Sequence, residues 1–246
     1  MRYLILGDIH ANWEALQAVL ADAEGLYDRI LCTGDLVGYG AEPGKVVEWA
    51  RHGSILCVRG NHDKVCCGLD DAEWFNPGAR SAILWTRSML AAADLEYLRG
   101  LPRGPVVVDG FGLMHGSPTD EDEYLVEVSD LRRVCSYLEN ILSFAGHTHL
   151  QGGFLWPTPE GSVIPQTPHT AREFIFKIPD KCFCLSNPGA VGQPRDGDPR
   201  AAYLFYSPED RVISYRRVAY DVAAAQRKIL DAGLPPRLAA RLEAGA

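Results

Sequence analysis

Five apolar runs in this chain end in short clusters of metal-ligating side chains, each flanked by glycine. The clusters are Gly7-Asp8-Ile9-His10, Gly34-Asp35, Gly60-Asn61-His62-Asp63, His115-Gly116 and Gly146-His147-Thr148-His149. Each run reads as a β-strand, so the clusters fall at strand ends. In α/β sheets, ligands bind beyond the carboxyl ends of strands. A fold built on these runs must therefore bring two carboxylates, one amide and up to five imidazoles towards one place.

The spacing predicts strand 2–7, helix 12–23, strand 29–33, helix 43–52 and strand 54–58. Asn12 suits the N-cap of the first helix, and Pro43 suits the first turn of the second. Alternation of this kind implies parallel strands with helices on the outer faces. A helical region at 77–98 follows Asn76-Pro77. Beyond Pro102 strands dominate: 105–109 and 111–114 about an Asp109-Gly110 hairpin turn, then 140–145, 152–156, 173–178, 182–186, 201–206 and 211–218. Helices are expected from Ser129 to 138 and over 221–230, the latter stopped at Gly233 and Pro235-Pro236. The Pro-rich piece 157–168 reads as a loop. No internal repeat is present, and 246 residues suit a single domain, 1–246.

The chain carries 24 basic against 32 acidic residues, a net charge of −8. Nucleic-acid affinity rests on many Lys and Arg contacts to phosphate, so a nucleic-acid polymer is not an expected partner. A small phosphorylated substrate depends only on a few local charges. No apolar run reaches the roughly 18 residues of a membrane span, and the start enters a strand without a signal-peptide pattern. A cytoplasmic protein without membrane association is the expectation. The seven cysteines match no zinc-ribbon spacing and read as reduced, buried side chains; a redox pair at Cys66-Cys67 or Cys182-x-Cys184 is the alternative.

Asp8 and His10 stand two apart, so an extended backbone would point both the same way, and His147 and His149 repeat that spacing. The donor set suits two divalent cations. Against their four positive charges stand Asp8, Asp35 and one bridging hydroxide, which leaves a surplus that attracts phosphate. Two metals about 3.5–4 Å apart hold attacking and leaving oxygens in line and lower the pKa of a shared water. Imidazole, carboxylate and amide without thiolate favour transition metals over Ca, with Mn first and Fe, Co, Ni or Zn as alternatives.

The motifs D-x-H, G-D, G-N-H-D, H-G and G-H-x-H, in that order, resemble the calcineurin-like metallophosphoesterase superfamily. The resemblance implies a four-layer αββα sandwich, two mixed sheets flanked by helices. It implies that Asp8, His10 and His149 bind a first metal, that Asn61, His115 and His147 bind a second, and that Asp35 bridges them. It further implies that His62 faces the substrate as general acid or phosphoryl donor, with Asp63 orienting its ring. Segments Gly34-Asp35-Leu36-Val37-Gly38-Tyr39-Gly40 and Asn187 to Asp196 look like a bacterial and archaeal subgroup grouped with diadenosine tetraphosphatase-like and protein-phosphatase-like proteins.

Other residues are less decided. Arg59 either reaches the substrate phosphate as a catalytic residue or pairs with a carboxylate. Arg195 and Arg200 lie in a loop that could cover the site, although a surface role is favoured; Tyr39 is a pocket candidate. The acidic run Asp120 to Glu123 reads as a solvated loop, which at a site's rim would repel long polyphosphates. Trp74, Phe75 and Trp156 could stack a base, with core packing preferred. His52 and His169 read as surface or loop residues. Gly34-x3-Gly38-x-Gly40 matches no phosphate-loop pattern. The leading function is hydrolysis of phosphomonoesters or phosphodiesters by a metal-bridging hydroxide. Hydrolysis of dinucleoside polyphosphates or phosphoproteins is the alternative. A non-catalytic scaffold, as in a retromer subunit similar to this superfamily, is the reading from another class. Oligomeric state is not legible.

Overall fold

The computed structural model describes residues 1–53, 55–157, 162–168 and 172–246. His169 therefore lies outside the described residues.

The first sheet carries strands β1 (Tyr3–Leu6), β2 (Arg29–Cys32), β3 (Leu56–Cys57), β9 (Glu173–Lys177), β11 (Ala201–Ser207) and β12 (Val212–Val218). Their order is β3-β2-β1-β11-β12-β9, with β1, β2 and β3 parallel and the rest antiparallel. The second sheet carries β4 (Val106–Val108), β5 (Phe111–Leu113), β6 (Leu142–Phe144), β7 (Gly152–Trp156), β8 (Ile164–Gln166) and β10 (Phe183–Asn187). Its order is β4-β5-β6-β10-β7-β8, with β5, β6 and β10 parallel. Both sheets are mixed, as the four-layer sandwich requires.

Strand alternation builds the layers. Tyr3 and Ile5 of β1 face the second sheet and pack with Phe111, Phe144, Leu204 and Tyr215 between the sheets. Leu4 and Leu6 face the other way, onto helices α1 (Trp13–Asp22) and α2 (Pro43–His52), through Leu16, Val19, Val46 and Val47. The outer face of the second sheet is covered by α6 (Val128–Val134), through Leu131 and Val134. Burying both faces of a sheet removes most of its apolar surface from water, which is the main favourable term in folding. Among the described residues no helix is long and apolar enough to cross a membrane.

Local signals explain most boundaries. Asn12 caps α1 by accepting the Ala15 N–H at 3.1 Å, and α2 opens on Pro43. The β4–β5 hairpin turns on Asp109 and Gly110 at φ 46° and 89°, the double positive φ of a tight two-residue turn.

Several expectations are corrected. The helical region 77–98 is two helices, α4 (Pro77–Met89) and α5 (Ala92–Gly100), broken by extended backbone at Leu90 and Ala91. The helix expected from Ser129 starts at Val128, because Asp130 closes a capping box by accepting the Glu127 N–H at 2.8 Å. Residues 61–66 form a helix, α3 (Asn61–Cys66), and the piece read as a loop contains strand β8. The helix expected over 221–230 is α7 (Val222–Asp231), which stops before Gly233 as expected, and a further helix that the sequence reading did not include, α8 (Pro236–Ala244), follows with Pro236 in its first turn. Helices α4, α7 and α8 share a small core of Ala79, Ala82, Ile229, Leu238 and Leu242. Cys182 and Cys184 lie in the core between the sheets, and Cys66 and Cys67 under the helices.

Candidate metal centre

The five clusters meet where the two sheets present the carboxyl ends of their parallel strands. Asp8 and His10 follow β1, Asp35 follows β2 and Asn61 follows β3. From the second sheet, His115 follows β5, while His147 and His149 follow β6. The loops after β1 and β2 extend the pairing of those strands: Asp8 N–H donates to the Gly34 carbonyl and His10 N–H to that of Asp35, both at 3.0 Å.

The extended backbone expected at Asp8 and His10 is not present. Asp8, His10, Asp35, His147 and His149 all take the left-handed region, at φ 51°, 49°, 57°, 68° and 61°. Non-glycine residues rarely adopt that conformation, and such strain gathers at functional sites. A left-handed residue at each of two alternate positions turns both side chains inward.

Two donor groups result. Asp8, His10, Asp35 and His149 place ligand atoms within 4.8 Å of one another, as do Asp35, His115 and His147, so Asp35 belongs to both. Asp35 Oδ2 lies 3.5 Å from both His10 Nε2 and His115 Nε2. Asn61 Oδ1 joins the second group, 3.1 Å from His115 Nε2.

The imidazoles are fixed from behind. His10 Nδ1 donates to the Val37 carbonyl at 2.9 Å, His115 Nδ1 to that of Thr33 at 2.8 Å and His149 Nδ1 to that of Gln193 at 2.6 Å. His147 is reversed, its Nε2 donating to the Asp122 carbonyl at 3.0 Å. A carbonyl only accepts, so the inward nitrogens of His10 and His149 are bare lone pairs, yet they stand 3.0 Å apart. Burial pushes Asp8 up to about 7 and Asp35 well above the usual carboxylate range, and pulls His10, His147 and His149 well below the usual imidazole range. Facing lone pairs and dry carboxylates suit cations between them, and outer hydrogen bonds of this kind orient metal-ligating histidines. The residues present fit a pair of metal ions.

His62 is the second residue of helix α3. Its N–H donates to Asp35 Oδ1 at 2.9 Å, and its ring packs among His10, Tyr39 and Phe75, with centroids 4.8, 4.5 and 4.6 Å away. Its buried Nδ1 has no hydrogen-bond partner among the described residues. Gly38, at φ 93°, lies against that ring; a Cβ there would stand 2.3 Å from His62 Nδ1.

Asp63 serves the backbone rather than the His62 ring. Its Oδ2 accepts the Asp35 N–H at 2.8 Å and the Gly60 N–H at 3.0 Å, and its Oδ1 accepts those of Leu36 and Val37. Arg59 takes the second of its two open readings: it grips Glu121 through Nη2 at 2.8 Å and Nε at 3.3 Å. His52 is exposed on α2 near Glu48. Arg200 is paired with Asp198 at 2.6 Å.

Arg195 is the residue that sequence reasoning undervalued. Its Nη2 donates to the Tyr39 hydroxyl and to Gln193 Oε1, both at 3.3 Å, and its Nε is buried without a partner among the described residues. Its charge reaches Asp8, His10, His62 and His149. The only sequence signal was its place in the Gly/Pro-rich segment 187–196. Asn187 from the same segment ties the His147 loop, donating to the Gly146 carbonyl at 2.8 Å and to Thr148 Oγ1 at 3.0 Å. Beside the donor groups opens a cleft of about 310 Å³, lined by Tyr39, Asn61, His62, Lys64, Asp70, Asp71, Trp74, Phe75, Asp122, Tyr124 and His147, among others. That volume is in the range of small-molecule sites.

Comparison with known proteins agrees with this architecture. A metallophosphoesterase from Sphaerobacter thermophilus is 39% identical, superimposes with a TM-score of 0.87, and is covered over 99% of its chain by 100% of this one. A protein from Methanocaldococcus jannaschii is 35% identical over 98% of this chain and 97% of its own. A protein from Pyrococcus horikoshii shares the fold at 18% identity, with a TM-score of 0.81 and coverage of 100% of this chain and 98% of that one. Residues 1–153, which hold all five ligand clusters, match the calcineurin-like phosphoesterase family, and to that family the chain belongs.

Proposed function

We propose that the protein hydrolyses a monoester or diester of a small phosphorylated substrate with two divalent transition-metal ions, manganese first among them. Asp8, His10, Asp35 and His149 would hold one ion, and Asp35, Asn61, His115 and His147 the other. The observation that carries this reading is the position of Asp35, whose one carboxylate is common to both donor groups. When bound, such a pair of ions supplies Lewis-acid polarisation of the phosphoryl group and a water of lowered pKa.

The chain's own residues do the rest. Asp63 spends its charge on four backbone N–H groups, so only Asp8 and Asp35 offset the ions. Arg195, with its unpartnered Nε, binds the phosphoryl oxygens. His62, whose ring lines the cleft wall, donates to the oxygen of the departing alcohol. A buried donor without a partner costs free energy until a ligand satisfies it, so the Arg195 guanidinium is poised for a phosphoryl oxygen.

The test is metal analysis of the purified protein together with hydrolysis of p-nitrophenyl phosphate and bis(p-nitrophenyl) phosphate after chelation and readdition of Mn²⁺. About two ions per chain and metal-restored turnover are expected, and Asp35→Asn loses both. Two ions and undiminished turnover in Asp35→Asn would overturn the assignment.

A further inference from the structure

The cleft beside the donor groups has an aromatic wall and an acidic mouth. Three of its rings are already engaged. Tyr39 packs on His10 with centroids 4.6 Å apart, Phe75 on His62 at 4.6 Å and Tyr124 on His147 at 3.9 Å. Trp74 is the exception. It lines the same cleft from the segment between α3 and α4, yet it is 92% exposed. An indole is a large apolar surface with a π-face, and leaving it in water forfeits its burial unless something lies on it.

The charges of the cleft point the other way from a polyphosphate site. Asp70, Asp71 and Asp122 line it, with Lys64 as its cation. The Lys64 ammonium is occupied: it pairs with Asp70 at 3.0 Å, with Asp122 at 2.5 Å and with Glu121 at 3.5 Å. Arg59 is likewise taken up by Glu121. A phosphoryl group beyond the scissile one would meet carboxylates and no uncommitted ammonium, an arrangement that selects by repulsion.

Resting on the phosphoesterase reading above, we propose that the substrate is an ester of one phosphoryl group with an alcohol bearing a planar aromatic ring. Trp74 is the platform on which that ring stacks, and the acidic mouth refuses chains of phosphates. Water adds across one P–O bond; the alcohol leaves with one proton and the phosphoryl group keeps the hydroxyl. A nucleoside and a simple aryl alcohol share the chemistry that Trp74 reads. Stacking is tolerant of ring identity because every such ring has a π-face.

Matched substrates test this with the metal-loaded protein. A nucleoside monophosphate and phenyl phosphate are compared with glycerol phosphate, and a dinucleoside monophosphate with glycerophosphoethanolamine. The aromatic member of each comparison is expected to have a kcat/KM about tenfold higher. In Trp74→Ala that ratio falls towards one, while Trp74→Phe keeps most of it. A nucleoside triphosphate is expected to be the poorest nucleotide, improved in Asp70→Asn/Asp71→Asn. If the phenyl ester is preferred and the nucleotides are not, the ring is a simple aryl group; the reverse assigns a nucleobase. Equal rates within each comparison, or a ratio untouched in Trp74→Ala, would overturn the inference while leaving the phosphoesterase reading intact. No hydrolysis of any ester by fully loaded protein would instead sink that reading, and this inference with it.

Discussion

Asp63 holds Asp35 by its backbone: Asp63 Oδ2 accepts the Asp35 N–H at 2.8 Å, and the same oxygen accepts the Gly60 N–H at 3.0 Å. Both oxygens are in use, since Oδ1 takes the N–H groups of Leu36 and Val37. One buried carboxylate thus fastens the loop after β2 to the start of α3. Asn cannot replace it, because an amide would turn its NH₂ against two N–H donors. Asp63→Ala is expected to cost at least about 2 kcal/mol, the scale of leaving buried donors unsatisfied. Urea unfolding of metal-free protein separates this from loss of the ions. A change within about 0.5 kcal/mol, the usual range for surface substitutions, would deny Asp63 that role.

His62 and Gly38 should fail in the same way for different reasons. His62→Ala removes a donor from the cleft and none of the metal-ligand atoms. It is expected to keep its metal content and lose about 10²–10⁴ in kcat, the usual worth of a positioned acid or base. Gly38→Ala keeps the histidine but sets a Cβ 2.3 Å from its Nδ1 at a φ of 93°, so the ring must move. It too should keep metals and lose turnover. Full activity in Gly38→Ala would show that the ring position is not critical.

What could be read from the residues was the order of the donor clusters and the elements beside them. Strand ends followed by Gly-Asp, Gly-Asn or His-Gly are local patterns, and Asn12 and Pro43 mark helix starts within a few residues. The rest depends on distant partners. The helix α3 is six residues long with Gly60 at its N-cap, and the carboxylate that organises its start also serves Leu36 and Val37. The left-handed backbone of Asp8 and His10 is imposed by pairing with the loop after β2. Arg195 meets the Tyr39 hydroxyl from a remote segment of the chain, which no local pattern announces. Pro236 was ambiguous for a local reason: proline both ends helices and begins them.

Asp22 gives the fold an acid sensitivity remote from the donor groups. Burial raises its pKa, but hydrogen bonds from Tyr203 and Arg172 and the charges of Arg172 and Arg216 outweigh it, holding the carboxyl below its ordinary 3.8. A carboxyl depressed in the folded state contributes stability that is fully present above 3.8 and is lost as pH falls through the folded value. Asp22→Asn should therefore be less stable than the parent at pH 7, with the gap narrowing below pH 3.8. Urea midpoints across that window read the effect. A gap as wide at pH 3 as at pH 7 would assign the loss to packing instead.

The Arg59–Glu121 pair separates two roles for one arginine. Glu121 and Asp122 belong to the loop after β5, clamped from the other side by Arg59 and Lys64. The Asp122 carbonyl in turn accepts His147 Nε2–H at 3.0 Å and so turns His147 Nδ1 towards Asp35. If the clamp acts through His147, Glu121→Gln and Arg59→Ala should both weaken the second equivalent of Mn²⁺ by about tenfold or more, the usual cost of losing an outer hydrogen bond to a ligand. The first equivalent, held by Asp8, His10, Asp35 and His149, should bind as before. Calorimetric titration of the metal-free variants resolves the two equivalents without any substrate. If Arg59 instead meets the phosphate, Arg59→Ala leaves both equivalents unchanged and raises KM at saturating metal, and Glu121→Gln does not follow it. Because Glu121 already occupies the guanidinium along its Nε and Nη2 edge, the first pattern is the expected one.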